Sequence, residues 1–335
     1  MNEVERPVLV EESTRRMVAG LEAMAREEWQ RALGHFEHAV VLRERLPWRS
    51  DPESAWMLAA AWINRGDVLL RLDQPDLIDE AIRSFDRVIE AMEYVPLERN
   101  PAFVERLVLA WINRGTACGE CGKLEGALVA FSEAGKIISA REPQMTAELR
   151  FMEAMLRTNR AKVLVAAKRS AEAWEDVRLA IRILRNFGTS PQVVTAAIKA
   201  RCIQCRALAL LLEEPGGVER VGDWIAEATD SAEEALALVR ISGHRGEWIA
   251  DLVRYGAKIY QVCQPHFLGE FLAEWLSGRG PLAEDQSLRE EMRNTLLLAQ
   301  VEVERKVLLL AHDTEFVEAQ TKILKSLQAG MNALR

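Results

Sequence analysis

One six-residue segment occurs twice in this sequence of 335 residues, and it restricts the possible folds more than any other feature. The segment Ala-Trp-Ile-Asn-Arg-Gly occupies residues 61–66 and again 110–115, and a weaker copy, Arg-Thr-Asn-Arg-Ala, occupies 157–161. Each copy is followed by a second segment in which a small residue precedes a large apolar residue by four positions. Self-similarity at intervals of roughly 45 to 50 residues, with two helical segments in each, predicts a stack of helical hairpins.

The second segment of each repeat has the spacing of a helix with one buried stripe. Small, large and again small or branched residues follow one another at steps of four and three, which place them on one helical face. The four copies contain Ala32, Phe36 and Ala39; Ala81, Phe85 and Val88; Ala127, Phe131 and Ala134; and Ala173, Val177 and Ala180. We expect Gly66 and Gly115 to lie where the two helices of a hairpin cross, in contact with these alanines.

Three helix starts are marked by a capping residue followed by proline. These pairs are Asp51-Pro52, Asn100-Pro101 and Ser190-Pro191. The side chain of the first residue can accept a hydrogen bond from the first turn, and proline has no N–H to lose there. We therefore expect helices to begin at residues 52, 101 and 191.

The charge and the cysteine content exclude several classes of protein. The chain has 43 Lys and Arg against 51 Asp and Glu, a net charge of −8, which disfavours a nucleic-acid binder. Its five cysteines are an odd number in a long chain, which favours a reducing compartment over a disulfide framework. The acidic start does not resemble a secretory signal, and no apolar stretch is long enough to span a membrane. We therefore expect a cytoplasmic protein.

These residues resemble the tetratricopeptide repeats, whose loose pattern has Trp four before Gly, then Ala, an aromatic residue and Ala. The third repeat matches throughout, and the second matches after a three-residue insertion near residues 76–79. The resemblance implies an all-α, right-handed α-solenoid of about five to six helical hairpins with C-terminal capping helices. It predicts a solenoid over 1–281, with clear repeats over 13–185 and degenerate ones over 186–281, and a long helix or helix pair over 282–335.

The apolar stripe of the last segment has two alternative interpretations. It runs from Met292 to Leu334, mostly at steps of three and four residues. Exposed terminal repeats need covering, which favours packing of these helices on the end of the solenoid. The alternative is a surface for self-association, which would make a homo-oligomer. A helix lying on a membrane is disfavoured because the polar face carries about as many acidic as basic residues.

The asparagines before Arg-Gly or Arg-Ala are the candidate binding residues. Asn64, Asn113 and Asn159 occupy equivalent positions, and they resemble the asparagine ladder of tetratricopeptide proteins of the kinesin-light-chain and Pins/LGN type. That resemblance implies a concave groove in which amides hold the backbone of a partner peptide. The groove residues would be Asn64, Asp67, Arg71, Asn113, Asn159 and Lys162. The alternative is that each amide bonds a neighbouring helix. Arg65, Arg114 and Arg160 are expected to bridge repeats through acidic partners.

No group of residues predicts catalysis, a metal or a cofactor. Cys118 and Cys121 lie too many helices from Cys202 and Cys205 to share a zinc ion, and small buried hydrophobes are their default role. No phosphate loop, nucleophile elbow or zinc-protease motif occurs. The sequence therefore predicts a non-catalytic scaffold that binds another protein or a peptide. The alternative, whose cytoskeletal or membrane association is implied only by the resemblance to kinesin light chain, is an oligomerising structural adaptor on a cytoskeletal polymer or membrane assembly.

Overall fold

The chain is built from α-helices. A computed structural model describes residues 5–214, 222–243, 247–276, 280–309 and 314–334, and these ranges contain fourteen α-helices, one short 3-10 helix and no strand. By contact density the chain divides into two compact units, Met1–Ala167 and Lys168–Arg335. No helix within the described ranges is both long and apolar enough to cross a membrane.

The first unit contains seven helices. They are α1 (Glu5–Ala25), α2 (Trp29–Glu44), α3 (Pro52–Arg71), α4 (Pro75–Met92), α5 (Pro101–Glu120), α6 (Leu124–Ser139) and α7 (Ala147–Ala166). Consecutive helices form the hairpins α1/α2, α3/α4 and α5/α6, and each hairpin packs on the next through α2 and α3, α4 and α5, and α6 and α7. The first helix of each hairpin carries the Asn-Arg-Gly position of the repeat.

The predicted helix starts are confirmed in both units. The carboxylate of Asp51 accepts from the backbone N–H of Ser54 at 3.2 Å. The side chain of Asn100 accepts from Ala102 N at 3.0 Å, and that of Ser190 from the third residue of its helix. In each case proline occupies the first helical position, where no backbone donor is lost.

Each hairpin of the first unit crosses at a glycine that lies against a phenylalanine ring. A Cβ built on Gly66 would lie 2.6 Å from the Phe85 ring, and one on Gly115 would lie 2.7 Å from the Phe131 ring. Gly20 has the same relation to Phe36 in the first hairpin. The nearest side chain at each crossing is therefore the phenylalanine, and not the alanine one turn earlier that we expected there. The alanines are buried in the same helices.

The three-residue insertion of the second repeat lengthens a helix and leaves the turn unchanged. Three residues separate the two helices in each of the three hairpins, but α4 has 18 residues where α2 and α6 have 16. Two positions before each second helix the chain adopts a positive φ, at Glu27, Asp73 and Gly122. The same turn therefore recurs although glycine occupies this position in one hairpin of the three.

The second unit also contains seven described helices. They are α8 (Ser170–Leu184), α9 (Pro191–Glu213), α10 (Gly222–Ser242), α11 (Glu247–Cys263), α12 (Leu268–Leu276), α13 (Gln286–Leu309) and α14 (Thr314–Ala333). Helix α9 packs against α8, α10 and α11. A Cβ on Gly256 of α11 would lie 2.6 Å from the ring of Phe271 in α12, so a glycine-phenylalanine crossing persists where the sequence repeat is degenerate.

The last two helices cover α12. Helix α14 packs on both α12 and α13, and a Cβ on Gly330 would lie 2.5 Å from the Cα of Gly269. Such close approach of two backbones requires that neither residue has a side chain. Helix α13 buries one stripe, which consists of Leu288, Met292, Leu296, Ala299 and Val303.

Candidate functional site

The three ladder asparagines occupy equivalent positions on three first helices of one unit. Asn64, Asn113 and Asn159 lie on α3, α5 and α7, each two residues before the small residue of its repeat, and all three are half-buried. The helices pack in this order, so the amides face one continuous surface of the first unit. The sequence pattern alone accounts for this placement.

Two of the amides bond the preceding first helix. Asn113 Nδ2 donates to Asp67 Oδ1 at 2.7 Å, and Asn159 Nδ2 donates to Thr116 Oγ1 at 3.1 Å. Asp67 and Thr116 each lie three residues after the asparagine of their own helix. This is the alternative arrangement that the sequence left open, in which the amides connect neighbouring helices. Asn64 has no side-chain hydrogen bond to the described residues.

Asn64 differs from the other two because the equivalent position of the preceding first helix is apolar. The position of α1 that corresponds to Asp67 is Leu21, whose side chain cannot accept a hydrogen bond and is 50% exposed. The amide of Asn64 is therefore available to solvent or to a ligand with both its donors and its acceptor.

The carboxylate of Asp67 has an unusual pKa. Burial raises the pKa of Asp67 from 3.8 to about 7, although the nearby Arg71 and the hydrogen bond from Asn113 both act to lower it. Arg71 is itself exposed, and its guanidinium carbon lies 5.9 Å from the ring centroid of Trp29. A neutral Asp67 can donate a hydrogen bond as well as accept one, which changes what this position offers to a ligand.

A continuous set of polar side chains results, which we name the polar row. It runs through Asn64, Asp67 bonded to Asn113, Thr116 bonded to Asn159, and Lys162. Thr116 donates its own hydroxyl hydrogen to Ile112 O at 2.9 Å, so its oxygen is free to accept from Asn159. Lys162 is exposed at the far end of the row. All the predicted site residues except Arg71 belong to this row, and Arg71 lies beside Asp67.

Arg65 and Arg114 bridge repeats, which confirms their predicted role. Arg65 donates to Glu80 at 2.7 Å within its own hairpin and to Glu37 of the preceding hairpin at 3.2 Å. Arg114 donates to Asp86 of the preceding hairpin at 2.6 Å. Both guanidiniums are therefore paired with carboxylates of the chain.

The cysteines are placed as small, mostly buried side chains. Burial raises the pKa of Cys118, and it raises that of Cys205 to about 12. Cys202 donates to Trp248 O at 3.1 Å, and Cys121 is half-buried at the end of α5. Within the described ranges no three His, Cys, Asp or Glu side chains are grouped so that they could hold a metal ion.

Sequence reasoning missed one arginine near the polar row, Arg106, whose guanidinium lies over a tryptophan ring. Arg106 lies seven residues before Asn113 on α5, and two helical turns bring it to the same face. Its guanidinium carbon lies 3.4 Å from the ring centroid of Trp56 on α3. The seven-residue spacing was the available signal, but an arginine at such a spacing is common on any exposed helical face.

Comparison with known proteins identifies the fold through structure and not through sequence. No protein-family model matches the sequence, and no curated protein matches it. The apo form of the quorum sensor NprR from B. thuringiensis has 14% identity and a TM-score of 0.51, and the match covers 96% of this chain and 77% of that chain. A Rap protein complexed with competence and sporulation factor has 15% identity and a TM-score of 0.48, with 97% and 77% covered.

PilF of Pseudomonas aeruginosa has 15% identity and a TM-score of 0.45, with 94% of this chain and 99% of that chain covered. Identities this low are informative about the fold alone. Together with the helical hairpins and their glycine-phenylalanine crossings, the similarity to NprR shows that this chain has an all-α solenoid fold of the tetratricopeptide type.

Proposed function

We propose that this protein is a non-catalytic interaction scaffold that binds an extended segment of another protein along the polar row. The contact residues would be Asn64, Asp67, Arg71, Asn113, Asn159 and Lys162. The segment would lie across α3, α5 and α7, so that each first helix contacts a different part of it. This assignment keeps the ladder interpretation and adds to it the hydrogen bonds between helices.

The observation that supports the proposal is the hydrogen-bonding capacity that the amides retain. A primary amide has two N–H donors and a carbonyl oxygen, and the bond to the preceding helix uses one N–H. Asn113 and Asn159 therefore each keep one donor and one acceptor, and Asn64 keeps all of them. A peptide backbone presents one donor and one acceptor per residue, so the two sets are complementary.

The bonds between helices make the row a better binding surface. An asparagine that is already held by Asp67 or Thr116 has a fixed orientation before a ligand arrives. Fixing a side chain in advance removes about 0.5 to 1.5 kcal/mol of ordering cost from each contact.

Single alanine substitutions of the three asparagines test the proposal. Asn64→Ala should leave the free energy of unfolding unchanged because this amide has no partner among the described residues. Asn113→Ala and Asn159→Ala should each cost about 0.5 to 1.5 kcal/mol, because each removes a bond between helices.

Binding is measured with peptides selected from a random library by the wild-type protein. Asn64→Ala should lower their affinity by about 0.5 to 1.5 kcal/mol per lost hydrogen bond while the melting temperature stays unchanged. Asn186→Ala, a change in an exposed amide of the second unit, is the matched control and should have no effect. Unchanged affinity in the Asn64 variant would mean that the ligand does not use the row.

A second candidate function, an oligomerising adaptor, is favoured by one exposed surface of α13. Leu298 and Leu308 are 66% and 80% exposed, and Val301 lies on the same face between them. Exposed apolar groups in a line favour association with a second copy of the chain. Light scattering at increasing concentration tests this, and Leu298→Glu should return any dimer to the monomer. A wild-type protein that stays monomeric at high concentration would exclude it.

A further inference from the structure

The second unit contains a cavity of about 370 Å³ that is lined by residues of α10, α11 and α12. This volume lies at the lower end of the range of ligand pockets, which is about 300 to 1,000 Å³. The residues of the polar row lie on helices of the first unit, so none of them lines this cavity. Aromatic rings and carboxylates together make up much of its lining.

The aromatic rings of the lining lie next to one another. The ring centroids of Tyr260 and Phe271 are 4.7 Å apart, and those of Phe271 and Trp275 are 6.5 Å apart. Phe267 also lines the cavity, and it is 45% exposed. An aromatic face attracts a cation within about 6 Å of its centroid and packs well against an alkyl chain. The rings therefore suit a cation that carries an apolar stem.

Three carboxylates of the lining give the cavity a negative charge. Glu274 is paired with Arg240, whose Nη1 lies 3.8 Å from Glu274 Oε2. Within the described part of the chain no cation pairs with Glu233 or Glu270, and both are exposed. The three carboxylates are not grouped closely enough to hold a metal ion. Two of them are therefore left to accept hydrogen bonds from a larger, organic cation.

A buried tyrosine holds Glu233 in place. Tyr260 donates its hydroxyl hydrogen to Glu233 Oε1 at 3.3 Å. Burial and the charge of Glu233 raise the pKa of Tyr260 above its usual range, so the hydroxyl keeps its proton and remains a donor. The other oxygen of this carboxylate is left to accept from a ligand. A carboxylate that is already oriented loses less conformational freedom when a ligand binds.

The lining also includes a buried donor without an acceptor. Trp275 is fully buried, and its Nε1–H has no hydrogen-bond partner among the described residues. Buried polar groups are nearly always hydrogen-bonded, so an unpaired one indicates a partner that lies outside this chain. A ligand oxygen in the cavity would accept from this N–H. The lining therefore calls for a ligand that has both a cationic group and an acceptor oxygen.

We propose that this cavity binds a lysine residue of a partner protein. The ammonium group donates to the carboxylates of Glu233 and Glu270, and the methylene stem packs along the rings of Phe267 and Phe271. The backbone carbonyl oxygen of the same lysine accepts from the indole N–H of Trp275. This site belongs to the second unit and does not depend on binding at the polar row.

Lysine fits the two carboxylates better than other cationic groups do. Glu233 and Glu270 lie on different helices, α10 and α12, and an ammonium group has three donors that point in different directions. A planar guanidinium pairs best with both oxygens of a single carboxylate. A quaternary ammonium has no N–H to donate to either of them.

The first arm of the test uses Nα-acetyl-lysine N-methylamide as the probe on the full chain. Binding is followed by NMR titration, with sodium chloride holding the ionic strength constant. The double variant Glu233→Gln/Glu270→Gln should bind the probe about tenfold more weakly, because two charged contacts are lost. Glu315→Gln/Glu318→Gln is the matched control, because it removes two exposed carboxylates of the same unit that do not line the cavity. This control should bind the probe like the wild type.

The second arm separates the two ends of the lysine residue. n-Butylammonium has the ammonium group without the carbonyl oxygen, and it should bind about fivefold more weakly than the lysine probe because one hydrogen bond is lost. Trp275→Phe keeps an aromatic ring and removes the N–H. This variant should lose about fivefold in affinity for the lysine probe and should bind n-butylammonium like the wild type. Thermal unfolding shows whether the variant is folded.

Several results would overturn the proposal. Unchanged affinity in Glu233→Gln/Glu270→Gln, or an equal loss in the control variant, would mean that these carboxylates do not bind the ammonium group. Equal binding of n-butylammonium or of the matching arginine probe would mean that the cavity does not select a lysine residue. A wild-type protein that binds no lysine probe at any soluble concentration would also overturn it. The glutamate variants change exposed side chains, so these results do not depend on the folding of Trp275→Phe.

Discussion

The raised pKa of Asp67 makes the stability of the first unit depend on pH in an unusual direction. The folded protein keeps the proton of Asp67 up to about pH 7, whereas an unfolded chain releases it near pH 3.8. Between these values the native state binds one more proton than the unfolded state. The protonated carboxyl group of Asp67 therefore contributes its full stabilisation of the folded state below about pH 4, and this stabilisation is lost as the pH rises through 7.

The size of the effect follows from the pKa shift. A change of about three units corresponds to about 4 kcal/mol at about 1.4 kcal/mol per unit. The side chain is half-buried, so solvent screens part of this, and we expect about 2 kcal/mol. Asp67→Asn removes the titration and keeps an oxygen to accept from Asn113. This variant should match the wild type near pH 4 and exceed its stability by about 2 kcal/mol above pH 7.5.

The assay is urea unfolding of both proteins at half-unit steps from pH 4 to pH 8. Asp79→Asn serves as the control with the opposite sign, because the ion pair with Lys123 lowers the pKa of the exposed Asp79. Any change in the free energy of unfolding of Asp79→Asn relative to the wild type should be a loss, and it should be larger toward high pH. A constant difference between Asp67→Asn and wild type, or a variant less stable than the wild type above pH 7.5, would refute the raised pKa.

Three further predictions concern packing and thiol chemistry. Gly115→Leu should lower the free energy of unfolding by about 1 to 3 kcal/mol or more, because the new side chain overpacks a helix crossing. Gly34→Ala, at a position with open space around it, should raise it by about 0.5 to 1 kcal/mol. Urea unfolding measures both changes, and equal effects would contradict the crossing. Gly330→Val should displace α14 from α12 and expose α14 to protease, and an unchanged digestion pattern would contradict the packing of these two helices. A thiol reagent should label half-buried Cys121 before buried Cys202, as peptide mapping would show, and the reverse order would contradict their burial.

The fold was predictable from the sequence because its main constraint recurs. Close packing of two helices needs a residue without a side chain opposite a large ring. This pair recurs in three hairpins, 16 residues apart in the first and third and 19 apart in the second, which carries the insertion. The sequence did not predict that the phenylalanine ring is the nearest contact of the glycine. Alanine and phenylalanine both lie on the buried stripe, and a spacing pattern does not tell which of them reaches across.

The conformation of the turns and the hydrogen bonds of the ladder asparagines could not be predicted from the sequence, for a different reason. Glu27 and Asp73 adopt a positive φ, which costs a residue other than glycine about 1 to 2 kcal/mol. The surrounding hairpin imposes that conformation, so local propensity cannot reveal it. The bond from Asn113 to Asp67 depends on the offset between two packed helices, and the repeat fixes positions within a helix but not that offset.

The polar row has two chemically different ends. It begins at Asn64, a neutral amide that can both donate and accept, and ends at Lys162, an exposed cation. Between them every bond points the same way, because each amide donates to the helix before it. A peptide is also directional, with N–H and C=O in fixed order and unlike termini. Its two orientations on such a row would therefore differ in energy, and a row of asparagines alone would lack the positive end.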